Sequence, residues 1–401
     1  MAGLPLPSAG RLKAILAAPA PEAPVAWVTA VFPAELVRAF GFYPYYPENF
    51  GAAVAARRGT AGMARAAVAA GYSADLCGYA RAGLGDCLAA EHPFGPMPRP
   101  DVVLGANNQC GTLARWFEAA ARDFGVPYFL LDFPPVFGPL DQPVLGYLYD
   151  QMRELAGFLA AAAGRPLDYD RLAEILALAN EACDLWREIL HLAKRRPAPF
   201  GFFDACVHMA AIVTLRGTRA AVDYYRLLRD DLLALSASGA AVVPGERHKV
   251  YWDHIPVWPR LRTMADLFAA HGVLAAVSQY SEDWYYRFDA ARPLESLAEG
   301  YALPFVNRDF EDRLRQKQDL MAAYGVDGFV LLSNHSCKAT SVGLYDKERE
   351  LTRRTGLPGV VLEADMADPA FFDEAVLTER LELFFARLDR HKEERPAAAN
   401  N

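Results

Sequence analysis

The chain has 401 residues, 53% of them hydrophobic and 22% charged, and this length favours two cores because a single core stops growing at roughly 250 to 300 residues. The formal net charge of −8 and the scattered Lys and Arg residues exclude the basic footprint of a nucleic-acid-binding protein. No stretch reaches the roughly 20 apolar residues that span a bilayer, and residues 1–24 match a secretory signal poorly. We therefore expect a cytoplasmic protein with no membrane segment, whose six cysteines are thiols, metal ligands or core residues rather than disulfides.

In chain order, the pattern predicts an N-terminal extension (1–24), a first α/β lobe (25–150), a helical bridge (151–240), a second α/β lobe (241–390) and a frayed tail (391–401). Each lobe contains four short apolar runs with helical segments between them. The runs are residues 25–32, 41–46, 101–107 and 128–133 in the first lobe, and 248–255, 273–280, 328–334 and 359–365 in the second. Apolar runs that alternate with helices are typical of parallel sheets buried on both faces. The predicted fold class is therefore α/β, with parallel sheets flanked by helices.

An Asn-x-x-Cys motif occurs twice, at Asn107 to Cys110 and at Asn334 to Cys337. Each copy stands where an apolar run hands over to a helix, and a second apolar run follows each helix. In open parallel sheets, ligands bind at the carboxyl ends of the strands. Two such sheets facing each other across a cleft would bring both thiols to one place.

The other cysteines differ in their surroundings. Cys77 lies in a Gly-rich segment that resembles the surroundings of the two motif cysteines, so the three thiols either share a metal or cluster, or are unrelated buried residues. We interpret Cys87 as a helix-packing residue, and Cys183 and Cys206 as core residues. Zinc usually requires a closely spaced pair of cysteines that this chain lacks, whereas iron–sulfur clusters accept dispersed thiolates.

Four further residues are candidates for the site. Glu48 follows the second apolar run, and it is either a general acid or base with a raised pKa or an ordinary residue in the first turn of a helix. We predict Glu48 as catalytic, and Asn49, His335 and Trp252 as substrate contacts. Aromatic residues such as Trp252 either line a pocket for a planar or acyl group or pack in the core. The chain contains no P-loop and no G-x-S-x-G motif.

Several motifs together resemble the family of 2-hydroxyacyl-CoA dehydratases and class I benzoyl-CoA reductases. These motifs are PYYPENFGAAV, GYSADLCGYARAGLG, ANNQC, the YWDHIPVW segment and NHSCKATSVGLYDKERE, and the likeness covers nearly the whole chain after residue 24. The resemblance implies two Rossmann-like lobes, a [4Fe–4S] cluster held by Cys77, Cys110 and Cys337, and an acidic residue near the substrate at Glu48.

The resemblance also implies a reaction and partners. A separate ATP-hydrolysing iron–sulfur activator would supply one electron, the acyl-CoA thioester would be reduced to a ketyl radical, and a homologous second subunit or a second copy would complete the enzyme. Dehydratases then eliminate water and use a hydroxyl side chain near the end of the first strand, for which Thr29 is available. The alternatives are an aromatic ring reductase, a homodimeric double-cubane reductase of small molecules that would need further thiols, and a binding module without a cluster.

Overall fold

The computed structural model describes residues 7–16, 22–89, 92 and 95–394. Residues 1–6 and 17–21 of the predicted extension and residues 395–401 of the predicted tail therefore lie outside the described residues. Of the extension, helix α1 (Pro7–Leu16) is described, and of the tail, residues 391–394 belong to the last helix. The limits predicted for the lobes and the bridge remain a prediction.

The first part of the chain builds a four-stranded parallel sheet. Its elements are β1 (Val25–Val28), α2 (Ala34–Ala39), β2 (Tyr43–Tyr45), α3 (Pro47–Ala56), α4 (Thr60–Ala69), α5 (Gly78–Leu88), β3 (Val102–Ala106), α6 (Gly111–Phe124) and β4 (Tyr128–Leu131). The strand order is β2-β1-β3-β4, with Ala26 beside Val102 and Val103 beside Tyr128. The strand β1 is shorter than the predicted run 25–32, because the chain turns before Pro33, the residue that precedes α2.

Helices follow, and a second parallel sheet comes after them. The helices are α7 (Gln142–Ala163), α8 (Tyr169–His191), α9 (Phe202–His208), α10 (Ala210–Thr214) and α11 (Arg219–Ala237). The remaining elements are β5 (His248–Asp253), α12 (Leu261–Ala270), β6 (Val273–Val277), α13 (Gln279–Glu282), α14 (Pro293–Ala302), α15 (Phe310–Tyr324), β7 (Gly328–Asn334), α16 (Lys338–Ser341), α17 (Leu344–Thr355), β8 (Gly359–Ala364) and α18 (Glu374–Glu394). The second sheet has the order β6-β5-β7-β8. The predicted α/β class with two parallel sheets is confirmed.

Local sequence signals explain where several of these helices begin and end. The Asp141 carboxylate accepts a hydrogen bond from the backbone N–H of Val144 at 3.0 Å at the start of α7, and Asp168 accepts one from Arg171 at 3.0 Å at the start of α8. Such caps satisfy backbone donors that have no partner inside a helix. Gly125 ends α6 at a φ of +64°, a backbone conformation that glycine adopts without steric cost.

The two sheets share apolar packing. One continuous cluster of buried residues contains Trp27 and Val103 from the first sheet together with Val250 and Val330 from the second. A buried polar contact also joins distant parts of the chain. Arg216, between α10 and α11, donates to Glu35 of α2 at 2.6 Å, and Glu35 accepts a second hydrogen bond from Tyr301 of α14 at 2.8 Å. Apolar packing thus joins the two sheets, and the buried polar contact joins α2 and α14 to the segment between α10 and α11.

The strand order fixes where a ligand can bind. In each sheet the chain first adds a strand on one side, β2 or β6, and then crosses to the other side, to β3 or β7. The crevice at such a switch point opens at the carboxyl ends of the two central strands. In this protein these are β1 with β3, and β5 with β7.

Candidate functional site

The three predicted cluster cysteines occupy the same local position. Cys77, Cys110 and Cys337 each immediately precede the first residue of a helix, namely α5, α6 and α16. The first backbone N–H groups of each helix lower the pKa of the preceding thiol: those of Tyr79 and Ala80 act on Cys77, those of Thr112 and Leu113 on Cys110, and those of Ala339 and Thr340 on Cys337. The Cys337 sulfur also accepts a hydrogen bond from the Thr340 hydroxyl at 3.5 Å. Backbone N–H groups at a helix N-terminus stabilise negative charge. The same arrangement therefore occurs at all three cysteines.

The repeated asparagine explains why two of these positions are equivalent. The side-chain oxygen of Asn107 accepts a hydrogen bond from the backbone N–H of Phe133 at 2.7 Å, just beyond β4. The side-chain oxygen of Asn334 accepts one from Met366 at 3.3 Å, just beyond β8. Each asparagine therefore ties the end of its strand to the end of the neighbouring strand, and the cysteine three residues later starts the next helix.

Cys77 reaches the second lobe through contacts between residues far apart in the chain. The backbone N–H of Gly78 donates to the Ser336 hydroxyl at 3.0 Å, and the N–H of Ser336 donates to Asp365 at 2.9 Å. A side chain at Gly78 would have its Cβ atom 2.8 Å from the Cβ of Ala367. The start of α5 therefore packs directly on the segment that carries Cys337.

All three thiols line one cavity of about 110 Å³ together with Glu48. Burial raises the pKa of each thiol, to about 11 for Cys110, and the N–H groups at the helix N-termini oppose this rise, together with the Thr340 hydroxyl at Cys337. The thiols of Cys110 and Cys337 also raise the pKa of Cys77 through their charge. The structure thus brings together the four residues predicted as ligands and as acid or base.

Glu48 lies in the first turn of a helix and also has a raised pKa, so it shows the structural feature of each alternative. It lies in the first turn of α3, after Pro47, and its side chain reaches back to the end of β1, where one carboxylate oxygen accepts a hydrogen bond from Ala30 N–H at 2.6 Å. Burial raises the pKa of Glu48 to about 7, and the hydrogen bonds from Ala30 and Gln109 oppose the rise. A carboxyl group with this pKa can hold or release a proton at neutral pH.

A second cavity of about 210 Å³ adjoins the first. Asn49 lines it, as do three alanines of α3 and residues of α9 and α10. Six residues line both cavities: Glu48, Tyr79, Gln109, Ile255, Tyr280 and Trp284. Trp258, Tyr280 and Trp284 contribute aromatic rings to the cavity walls.

Other predicted residues lie elsewhere. Trp252, predicted as a substrate contact, is fully buried because β5 is covered on both faces, and its ring stacks on Phe202 with centroids 5.7 Å apart. His335 stacks on Phe371 with centroids 3.6 Å apart and does not line either cavity. Thr29 is also buried behind the cavity wall, which Ala30 and Val31 form at this point. These three side chains have no surface at the cavities.

Of the three remaining cysteines, two are buried as predicted and one is not. Cys183 and Cys206 are buried, as predicted, and Cys206 also lines the second cavity. Cys87 is exposed. The interpretation of Cys87 as a packing residue is wrong because it lies in the last turn of α5, where the helix ends at Leu88 and faces solvent.

Three residues at the first cavity were missed as site residues. Gln109, within the Asn-x-x-Cys motif, receives a hydrogen bond from Val31 N–H at 3.2 Å and contacts Glu48. His254 directly follows β5, the position equivalent to the end of β1, and this equivalence was a usable signal. Asp283 lines the cavity without any sequence signal, and burial raises its pKa to about 7.

A layer of paired charges lies behind the second-lobe wall. Lys317 donates to Asp253 at 2.6 Å, and Lys347 donates to the other oxygen of Asp253 at 3.4 Å and to the Thr340 carbonyl at 3.2 Å. Burial opposes the ionisation of Asp253, but the two lysines outweigh it and hold the pKa of this carboxyl below its usual range. The layer therefore supports the helix start beside Cys337.

Two features are absent from the described residues. Within the described ranges, no group of three or more His, Cys, Asp or Glu side chains is arranged to hold a metal ion. No helix in the described part of the chain combines the length and apolar character needed to cross a membrane.

Comparison with known proteins identifies the family. A family model described as 2-hydroxyglutaryl-CoA dehydratase, D-component, matches residues 29–388, and the chain belongs to this family. It is 31% identical to the (R)-phenyllactyl-CoA dehydratase alpha subunit of Clostridium sporogenes over 89% of this chain and 88% of the relative. It is 30% identical to the (R)-2-hydroxyisocaproyl-CoA dehydratase alpha subunit of Clostridioides difficile over 90% and 88%. One subunit of the benzoyl-CoA reductase of Thauera aromatica is 29% identical over 89% and 87%. The resemblance recognised in the sequence is confirmed, and the chain is an enzyme of this type.

Proposed function

We propose that this chain is the [4Fe–4S] subunit of a 2-hydroxyacyl-CoA dehydratase-type enzyme, which reduces an acyl-CoA thioester and eliminates water. The observation that carries the proposal is the meeting of three helix-start cysteines, from both halves of the chain, with Glu48 on one cavity. Relatives named alpha subunits support a second subunit as partner, and we extend the proposal to an ATP-hydrolysing activator and a cytoplasmic location.

The donor set fits an iron–sulfur cluster. Thiolates are the ligands of [4Fe–4S] clusters, and each iron takes one of them. The three thiols line one cavity, so their sulfurs could reach the same group. The backbone N–H groups that follow each cysteine lower the pKa of its thiol, and donors of this kind tune the potential of a cluster. Three thiolates for four irons would leave one iron without a protein thiolate.

The protein's own residues would bind the substrate and move a proton. When bound, the cluster supplies one low-potential electron to the thioester. The Glu48 carboxyl is fixed at one oxygen by Ala30 N–H, and its other oxygen lies 3.5 Å from the amide nitrogen of Gln109. The Glu48 carboxyl would hold or accept a proton that is transferred during the elimination of water. The aromatic side chains of Tyr280 and Trp284, shared by both cavities, would exclude water from the acyl group.

A ring reductase is the second candidate, and one observation favours it. At the end of β1 the cavities are lined by Ala30 and Val31, and the Thr29 hydroxyl is buried without a hydrogen-bond partner among the described residues. The hydroxyl expected for a dehydratase is thus missing from this part of the wall. The similarity to a benzoyl-CoA reductase subunit is consistent with this alternative. Nothing comparable favours a double-cubane enzyme, since only Cys206 among the extra cysteines lines either cavity.

Metal content tests the ligand assignment. Anaerobically purified protein should contain about four irons per chain, and Cys77→Ala, Cys110→Ala and Cys337→Ala should each lose most of this iron. The matched control is Cys87→Ala, which removes an exposed thiol and should retain it. Equal iron content in all four variants would disprove the assignment.

Turnover distinguishes the two reactions. The iron-loaded protein, with its partner subunit, activator and ATP, is given (R)-phenyllactyl-CoA, (R)-2-hydroxyisocaproyl-CoA, lactoyl-CoA and benzoyl-CoA. Formation of an enoyl-CoA from a 2-hydroxyacyl-CoA supports the dehydratase. Reduction of benzoyl-CoA alone would establish the ring reductase, and no turnover of any of these would argue against both.

A further inference from the structure

The two adjoining cavities carry no positive charge. Neither a lysine nor an arginine is among the described residues that line them. The acidic residues there are Glu48 and Asp283, and the other lining groups are thiols, amides, hydroxyls, aromatic rings, aliphatic side chains and His254. A ligand carboxylate in this space would meet carboxyl groups and no counterion.

The buried cations near the cavities are already engaged. Lys317 donates to Asp253 at 2.6 Å and to Gln279 at 2.7 Å, and it is fully buried. Arg216, beneath the ring of Tyr286 at 4.8 Å from its centroid, is paired with Glu35. Neither cation lines a cavity, so neither can reach a ligand carboxylate without leaving its partner.

The wall of the second cavity is also apolar where an acyl chain would extend. Its lining includes Ala52 of α3 and the buried Met209 and Val213, while the exposed Ala53 and Ala56 of α3 form its rim. Burying an unpaired carboxylate against such a surface is very unfavourable, whereas burying methyl groups there is favourable. The chemistry of the wall selects against a second charge on the substrate.

We propose that the acyl group of the substrate is uncharged and apolar. Although the family model carries the name of 2-hydroxyglutaryl-CoA dehydratase, this member would then not act on 2-hydroxyglutaryl-CoA, whose acyl group carries a second carboxylate. The inference rests on the proposed function, because it assigns the cavities to the acyl group of a CoA thioester. An aliphatic branched or aromatic acyl group fits the alanine-rich and aromatic walls.

Binding to the iron-loaded protein tests this selection. Dissociation constants are measured by calorimetry for (R)-2-hydroxyisocaproyl-CoA, (R)-2-hydroxyglutaryl-CoA and the 5-amide of the latter, which differs from it chiefly in charge. The charged ligand should bind roughly a hundredfold more weakly than the isocaproyl ligand, and at least tenfold more weakly than its amide. Equal or tighter binding of 2-hydroxyglutaryl-CoA would overturn the inference.

A variant provides the converse test. Ala53 lines the second cavity and is exposed, so Ala53→Lys adds a cation at the rim with little risk to folding, and Ala53→Met adds similar bulk without charge. Ala53→Lys should improve binding of 2-hydroxyglutaryl-CoA relative to Ala53→Met, and no difference between them would count against a charge-based selection. If the wild type binds none of the ligands, the assignment of the cavities to an acyl-CoA fails, and this inference fails with it. If it binds them without discrimination, only this inference fails.

A second inference concerns His254 and depends on different observations. His254 has a φ of +82°, in the left-handed region that a residue with a side chain rarely adopts. It is 2% exposed and lines the first cavity, and its Nδ1 atom has no hydrogen-bond partner among the described residues. Strained backbone of this kind persists where the surrounding structure enforces it, commonly at functional sites.

The groups around His254 keep it uncharged. They are Asp253 on its own strand, Lys317 and Arg313 on α15, and Lys347 on α17. Burial lowers the pKa of His254 to about 3, and the cations reinforce this while Asp253 opposes it. A neutral imidazole can donate one hydrogen bond and accept another.

We infer that His254 hydrogen-bonds an oxygen atom of the bound acyl group, either the thioester carbonyl or the 2-hydroxyl group. This also rests on the proposed function. His254→Asn tolerates the positive φ but has a shorter side chain, and His254→Gly removes the side chain and leaves space for free imidazole. Both variants should keep their iron and bind (R)-2-hydroxyisocaproyl-CoA about tenfold more weakly, and imidazole should restore affinity in His254→Gly.

A ligand without the hydroxyl group separates the two oxygen atoms. If the variants also weaken binding of 4-methylpentanoyl-CoA, the contact is to the carbonyl, and if they weaken only the hydroxylated ligand, it is to the hydroxyl. Unchanged affinity for both ligands in iron-loaded variants, while the wild type binds and turns over substrate, would overturn the role of His254 and leave the proposed function intact.

Discussion

Two glycines that follow the proposed cluster ligands should respond very differently to the same substitution. Gly78 follows Cys77, and a Cβ atom there would lie 2.8 Å from the Cβ of Ala367 and 3.2 Å from an oxygen of Asp365. Gly111 follows Cys110 in the same position at a helix start, and a Cβ atom there would meet nothing within 4 Å. Gly78→Ala therefore forces α5 away from the second lobe, while Gly111→Ala adds a methyl group in open space.

The expected magnitudes differ accordingly. Overpacking of this kind typically costs about 1–3 kcal/mol, so Gly78→Ala should lower the free energy of unfolding by about that amount. Gly111→Ala should stay within about 0.5 kcal/mol of the wild type. Urea unfolding of the cluster-free proteins, followed by tryptophan fluorescence, measures both changes.

Iron content adds a functional measurement to the same pair. The displacement in Gly78→Ala moves the start of α5, and with it Cys77, relative to Cys337. Gly78→Ala should therefore retain less iron than Gly111→Ala after gel filtration under anaerobic conditions. Equal stability and equal iron content in the two variants would refute the view that close packing of α5 on the second lobe positions Cys77.

Two further predictions concern buried charge. Glu48 keeps its proton up to about pH 7 in the folded protein, whereas in the unfolded chain the proton is lost near pH 4.5. Between these two values the folded state binds more protons than the unfolded state. The free energy of unfolding therefore falls as the pH rises through this range, by about 3 kcal/mol for this group. Glu48→Gln should remove that part of the pH dependence in urea unfolding between pH 5 and pH 8, and parallel curves for variant and wild type would contradict the raised pKa. Arg216→Met leaves the fully buried Glu35 without its cation and should cost about 3–5 kcal/mol, whereas the double variant Glu35→Met/Arg216→Met should recover much of this loss. A double variant as unstable as the single one would show that the ion pair is not what couples these positions.

The sequence predicts the sheets well because their signal is local. Each of the eight apolar runs contains a strand, since a parallel strand covered on both faces is rich in apolar residues. The ends of the runs carry a weaker signal. The run 25–32 yields only four strand residues, because a turn before Pro33 depends on how the chain packs and not on hydrophobicity.

The composition of the cavity was less accessible from the sequence. Trp252 and Trp258 belong to one short segment, yet the first is buried in the core and the second lines a cavity. The difference arises from which side of β5 or of the following loop each residue occupies, and this depends on contacts with α9. Asp283 could not be predicted at all, because only the folding of the loop after α13 brings it to the cavity.

The duplicated architecture gives an asymmetric site for a physical reason. The halves repeat the strand order, and at β3 and β7 they repeat both the asparagine that ties neighbouring strand ends and the cysteine at the following helix start. They differ at β1 and β5. After β1 the backbone N–H of Ala30 donates a hydrogen bond to Glu48, whereas after β5 His254 has a positive φ and lines the cavity. Two equivalent thiols therefore share a cavity with a carboxyl group from one half and an imidazole from the other. Under the proposed function, this difference would give a substrate a defined orientation that a symmetric pair of sheets could not provide.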